Sequence, residues 1–215
     1  MGENIFEAQY DLTKKSRVKK FYEANKIFIF SSILILIILF ASLSFYLNKQ
    51  ERKKILLSEN YIQAKVYIEK GSNIEALNTL KKVIFANDST YSTLSFFLIL
   101  NQNLISDYKE ISALYDHLLE NNNFEKELRN LLIYKKSLFS SNSVDETELL
   151  EITKPLLSTD TLWKPHALLL LGDYFMSKGE NIKAREFYQQ ILSMNNLHKD
   201  LYDQAKLQLA NINHE

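Results

Sequence analysis

Cysteine is absent from this 215-residue chain, glycine occurs four times, proline twice and tryptophan once. Without thiols there is no disulfide framework, no thiolate nucleophile and no cysteine-ligated metal. So little glycine and proline leaves few turns for a β-rich architecture, while abundant Leu, Ile, Lys and Glu favour helix. The 46% hydrophobic content excludes a disordered chain. Net charge is missing too, with 26 basic residues against 26 acidic ones.

That balance conceals a division. Residues 1–26 carry 6 basic and 4 acidic residues, 48–57 carry 4 and 1, and 58–215 carry 16 and 21. The long C-terminal part is therefore five charges negative, which disfavours binding nucleic acid through its phosphates. Between the two basic stretches lies "IFIFSSILILIILFASLSFYL", Ile27–Leu47, 21 residues without a charge. As a helix rising about 1.5 Å per residue it spans the roughly 30 Å of a bilayer's hydrocarbon. Phe21, Tyr22, Phe45 and Tyr46 stand where interfacial aromatics belong, with Lys26 and Lys49 at the water boundaries.

Two other readings of the run are a buried core helix and a cleavable signal peptide, the second suggested by Ser42 and Ser44. The 26 residues before the run and its length favour a retained anchor. Lys14, Lys15, Arg17, Lys19, Lys20 and Lys26 precede it, and Lys49, Arg52, Lys53 and Lys54 follow. This bias predicts a cytoplasmic N-terminus with the chain from about residue 48 outside. An N-terminal Met-Gly suggests myristoylation, but Phe6 occupies the position that needs Ser or Thr.

The part beyond the anchor repeats itself. "ALLLLGDYFMSKGENIKAREFYQQIL" has an echo in "YIQAKVYIEKGSNIEALNTLKKVI", which pairs Ala64 with Gly172, Tyr67 with Phe175, Gly71 with Gly179, Ala76 with Ala184, Leu80 with Tyr188 and Val83 with Ile191. The offset of 108 residues leaves room for two further copies. One places Ser106 at the Gly position and Ile111 at the Ala position, followed by Tyr115 and Leu118. The other, in "DETELLEITKPLL", places Leu150 at the Ala position and closes on Leu157. Positions 76, 111, 150 and 184 are then 35, 39 and 34 residues apart.

Each unit is a helix pair that must stack on its neighbours to bury its apolar face. Small residues at 64, 172, 76 and 184 allow close approach, and Gly71 and Gly179 end the first helix of a pair in a left-handed turn. Helices are expected near 56–70, 74–86, 91–103, 107–121, 124–139, 145–157, 162–178, 181–194 and 198–213, the last covering the open end. "NDST", "ENNN", "SSNSVDE" and "STDT" supply caps and turns, with Asp160 or Thr161 capping the helix that holds Pro165. Pro155 is expected to kink or shorten its helix.

"LGDYFMSKGENIKAREFYQQIL" resembles a tetratricopeptide repeat at nearly every signature position. The whole chain is expected to be all-α: residues 1–26 a basic tail, 27–47 a transmembrane helix, 48–57 a basic linker, and 58–215 a tetratricopeptide-like α-solenoid of about four helix pairs plus a capping helix. That architecture resembles the YfgM-like family of bacterial inner-membrane proteins. The resemblance implies a domain on the periplasmic side that binds the Sec translocon, periplasmic chaperones or exported chains. It also implies a partner groove lined by Tyr61, Lys65 and Ile68 from the first unit and Leu169, Asp173 and Met176 from the last. A clamp for C-terminal carboxylates is not expected, because Asp173 stands where such a clamp needs Asn. The same array could instead serve an anchored organiser of envelope assembly or division.

Site chemistry is sparse. His117, His166, His198 and His214 show no metal-binding spacing and read as surface helix residues. Asp145, Glu146, Glu148 and Glu151 lack a calcium-loop pattern and suit a helix N-terminus. No phosphate loop, dinucleotide fingerprint or nucleophile elbow occurs. Neither catalysis nor a cofactor, metal or small-molecule substrate is expected, and the partners are proteins and, through residues 27–47, lipid.

Overall fold

The structure, a computed structural model, describes residues 17–195 and 197–214, and the side chains of 17, 18, 213 and 214 lie outside the described set. Lys14, Lys15, Phe6 and most of the expected basic tail also lie outside it. Among the described residues there are nine α-helices and no strand. The chain divides into two units, one ending at Ile55 and one beginning at Leu56.

The first unit holds most of α1, Arg17–Glu69, 53 residues long. Asn25 alone leaves helical geometry, at φ −117° and ψ 15°, and its amide donates to the Phe21 carbonyl at 3.0 Å. The apolar run follows at once, and none of it is buried in the protein. A core helix would hide this surface, so that reading falls. An apolar helix exposed on every side is compatible with a single-pass membrane anchor. The expected linker at 48–57 is helical as well, because "NKQERKKILL" contains no helix breaker and many good helix formers.

The second unit comprises the end of α1 and eight further helices: α2 Asn73–Ile84, α3 Ser89–Asn101, α4 Tyr108–Asn121, α5 Lys126–Ser140, α6 Glu146–Leu157, α7 Lys164–Ser177, α8 Asn181–Leu192 and α9 Lys199–His214. From α2 onward each helix packs on the next, and α7 also touches α5 and α9. All of α2, α4, α6 and α8 bury the same stripe at i, i+4 and i+7: Ala76, Leu80 and Val83; Ile111, Tyr115 and Leu118; Leu149, Thr153 and Leu156; Ala184, Tyr188 and Ile191. This corrects the register expected for α6, where Leu149 and not Leu150 takes the Ala position and Leu156 replaces Leu157. The sequence pattern favoured leucines throughout, but Thr153 is fully buried because its hydroxyl donates to the Leu149 carbonyl at 2.9 Å.

Turns show why particular residues end the helices. Gly71 and Gly179 have φ +75° and +73°, and the amides that follow, Ser72 and Glu180, each reach back to the Tyr67 and Phe175 carbonyls at 2.9 Å. Both are Schellman closures. The same closure after α3 uses Asn103, at φ 50°, with Leu104 donating to Ile99 at 3.0 Å. Ser106, expected at this position, is exposed in the loop beyond. Asparagine tolerates the left-handed region better than other side chains, so it substitutes for glycine here.

Two further expectations change. Pro155 neither shortens nor ends α6, which has 12 residues like α2 and α8. It sits in the last turn, where the bond it forfeits is to the solvent-exposed Glu151. Neither Asp160 nor Thr161 caps α7: the cap position is Trp163, without a side-chain bond, and Thr161 is engaged elsewhere. Asp88, Asp107 and Asp145 do cap α3, α4 and α6, each accepting from amides of the first turn.

Gly172 answers to packing. A Cβ there would lie 2.4 Å from Cε1 of Tyr188, a ring that is fully buried. The equivalent pair is Ala64 and Leu80, both fully buried in one cluster, where a smaller partner leaves space for the methyl. In Gly172→Ala the clash costs about 1–3 kcal/mol while helix propensity returns about 1 kcal/mol. The substitution should therefore destabilise the native chain but become neutral or stabilising in a Tyr188→Leu background. Urea unfolding of the four proteins followed by circular dichroism tests this, and an equal cost in both backgrounds would refute the packing account.

Candidate functional site

A cleft of about 910 Å³ opens within the second unit, where α5, α7 and α9 come together with the segments before α7 and α9. Its construction starts from one buried hydroxyl. Thr161 Oγ1 donates to Glu127 Oε2 at 2.8 Å and accepts from Asn130 Nδ2 at 2.9 Å and from the Trp163 amide at 3.3 Å. Trp163 Nε1 donates to the Glu127 carbonyl at 3.1 Å, and Lys126 Nζ donates to the Asp160 carbonyl at 2.9 Å. Four of these bonds pin the segment before α7 to α5, the fifth bracing the segment itself, and the buried members are satisfied.

This anchoring sets an aromatic wall. Trp163 lies almost parallel to Tyr134, with ring centres 5.6 Å apart, and His166 sits 5.4 Å from Trp163 and 5.6 Å from Tyr134. Pro165, Leu169, Leu197 and Leu201 provide apolar surface, and Met194 lines the far side. The charged groups of the lining are Glu127, Asp160 and Asp200, accompanied by His166 and His198; among the described residues no Lys or Arg lines it. Burial pushes the His166 pKa below its ordinary 6.5, and repulsion from His198 lowers it further. Tyr134 is pushed upward by burial and then by the Asp173 carboxylate.

Of the six expected groove residues, Leu169 lines this cleft. Asp173 is half-buried on the same helix and accepts the Tyr188 hydroxyl at 2.8 Å. Burial raises its pKa, opposed by that hydrogen bond. Met176 packs on the core around Tyr188, with Sδ 3.8 Å from the tyrosine oxygen. Tyr61 and Ile68 are half-buried against the cluster around Phe96, and Lys65 is exposed. The packing residues Ala64, Ala76, Gly172 and Ala184 are buried, whereas Gly71 and Gly179 stand in exposed turns.

Sequence reasoning missed the wall of Tyr134, Trp163 and His166. Its one visible signal was "LWKPH", which gathers the sole tryptophan, a proline and a histidine at a helix start. The histidines are not uniformly surface helix residues. His166 and His198 share the cleft, and His117 places Nε2 2.8 Å from Asn87 Oδ1, beside the Phe85 ring. The acidic run at 145–151 is occupied by structural duties: Asp145 caps α6, Glu146 bonds Lys183 at 2.8 Å and Glu151 bonds Lys154 at 3.0 Å. Comparison with protein-family models and with curated proteins finds no match for the chain.

Because the folded protein holds His166 below 6.5, the unfolded chain binds more protons in the window beneath that value. Stability contributed by the neutral ring is thus present above pH 6.5 and lost as pH falls through the window. Unfolding free energies measured at pH 7 and pH 5.5 should drop less for His166→Gln than for the parent protein. Equal drops would show that the ring is not held neutral by the cleft.

Proposed function

We propose that the chain is a membrane-anchored scaffold or adaptor whose helical domain docks other proteins. The fold behind this reading is a tetratricopeptide-like array of four helix pairs, α9 covering the last. Its support is the stripe at i, i+4 and i+7 recurring on α2, α4, α6 and α8, together with the paired glycine closures at Gly71 and Gly179. Apolar surface exposed along Ile27–Leu47 supports the anchor, and the excess of basic residues before it supports a cytoplasmic N-terminus with the domain on the periplasmic face of a bacterial inner membrane.

The observation that carries docking is the cleft on α5, α7 and α9. Alternate helices of a stacked array share one face, so a groove across them offers a partner several side chains at once without disturbing the core. An aromatic wall beside apolar surface and a few charged groups is the composition expected of a binding surface with anchoring hot spots. The resemblance to the YfgM-like family directs the choice of partner to the Sec translocon, periplasmic chaperones and exported chains.

A photocrosslinking amino acid placed at Leu169 in the full-length protein, in intact membranes, tests the proposal. It should yield discrete protein adducts that include translocon or chaperone subunits, whereas the same group at Ile74, which is 75% exposed on α2, should not. Indistinguishable adducts from the two positions would refute docking through the cleft. Adducts confined to other proteins would refute the partner assignment.

A further inference from the structure

We propose that the cleft selects a cationic peptide segment, one that places a bulky apolar side chain beside Leu169, Leu197 and Leu201 and its Lys or Arg groups against Asp160, Asp200 and Glu127. This rests on reading the cleft as a docking site and adds the chemistry of what docks there.

Charge complementarity carries the assignment. Among the described residues three carboxylates line the cleft and no cationic side chain of Lys or Arg does. They are placed differently. Glu127 is half-buried, and its Oε2 already accepts from Thr161. Asp160 stands exposed on the pinned segment, its carbonyl bonded to Lys126. The Asp200 side chain is 78% exposed, 3.6 Å from His198 Nδ1. Two carboxylates thus stand at the exposed rim, and that of Glu127 is held by Thr161. Near neutral pH His166 leaves that negative field intact, since burial favours its neutral form. The ammonium of Lys126 is fixed on the Asp160 carbonyl.

The apolar component follows from the surfaces between the acids. Leu169 and Leu197 are half-buried, so each keeps an uncovered part. Beside them lie the faces of Tyr134 and His166, against which an aromatic or aliphatic side chain packs, while a cation gains from the aromatic rings as well as from the carboxylates. An acidic segment meets repulsion at three points, and a wholly polar cation forgoes the apolar contact.

Trp163 is the sole tryptophan, stacked on Tyr134 and tilted against His166, both in the lining, so its emission reports on this cleft without a label. The full-length protein in nanodiscs of zwitterionic lipid is titrated with three capped peptides: alternating lysine and phenylalanine, alternating glutamate and phenylalanine, and alternating lysine and glycine. The lysine–phenylalanine peptide should change Trp163 emission saturably and bind about tenfold more tightly than either of the others, as expected for combined apolar and ionic contacts. Asp160→Asn together with Asp200→Asn, both outside the packed interior, should weaken that peptide about fivefold and leave the glutamate peptide no weaker.

Equal affinity for the lysine and glutamate peptides, or no effect of the paired Asn substitutions, overturns the proposal. A concentration-dependent emission change without peptide, marking a second copy of the chain as occupant, also overturns it. If no peptide binds while the Leu169 crosslinks persist, cationic selection fails and the scaffold stands. If the lysine–phenylalanine peptide binds as described while no crosslinks form, the cleft's chemistry stands and the scaffold fails.

Discussion

A twelve-residue helix with three or four buried positions cannot hold itself together in water, and the second unit depends on the remedy. Isolated helices of that length are marginal because nucleation is costly and few hydrogen bonds repay it. Stability must come from burying one face against a neighbour, and that neighbour has a second face needing the same. The chain meets this requirement by packing each helix on the next. Where α7 and α8 approach most closely, the constraint becomes a single atom: Gly172 has no Cβ because Tyr188 occupies the space.

Tyr188 also shows how packing reaches toward the cleft. Its ring is fully buried and its hydroxyl engages Asp173, which faces the side of α7 where the cleft's Tyr134 responds to its charge. The cleft is therefore attached to the core through α7, the helix that also carries Gly172. The segment before α7 is fixed separately by Thr161 and Trp163. Rigid support of this kind keeps a binding surface in shape before a partner arrives, which lowers the ordering cost of binding. Along Ile27–Leu47 no apolar residue is buried among the described residues, an arrangement compatible with lipid as the complementary solvent.

Much of the fold could be read from residue spacing. The stripes at 76, 111 and 184 and the glycines at 71 and 179 are local patterns, and from α2 onward helix boundaries fell within a few residues of the observed ones, whereas the helices expected separately at 27–47 and 56–70 are one, Arg17–Glu69. The errors arose where a residue of unexpected type did a familiar job. Thr153 fills an apolar position by turning its hydroxyl onto its own backbone, and Asn103 makes the turn glycine makes elsewhere. The cleft was nearly illegible because it has no local pattern. Glu127, Tyr134, Thr161, Leu169 and His198 come from two helices and two connecting segments, and only packing brings them together. Leu169 was recognised because it lies in the unit whose pattern is strongest.

Hydrogen–deuterium exchange of the full-length protein in nanodiscs, with and without a crosslink-identified partner, tests the central claim that this shared face is where an anchored chain meets other proteins. Amides of α5, α7 and residues 193–204 should slow on complex formation while those of α2 remain unchanged. Slowing confined to α2–α4, or none anywhere in the second unit, would contradict it.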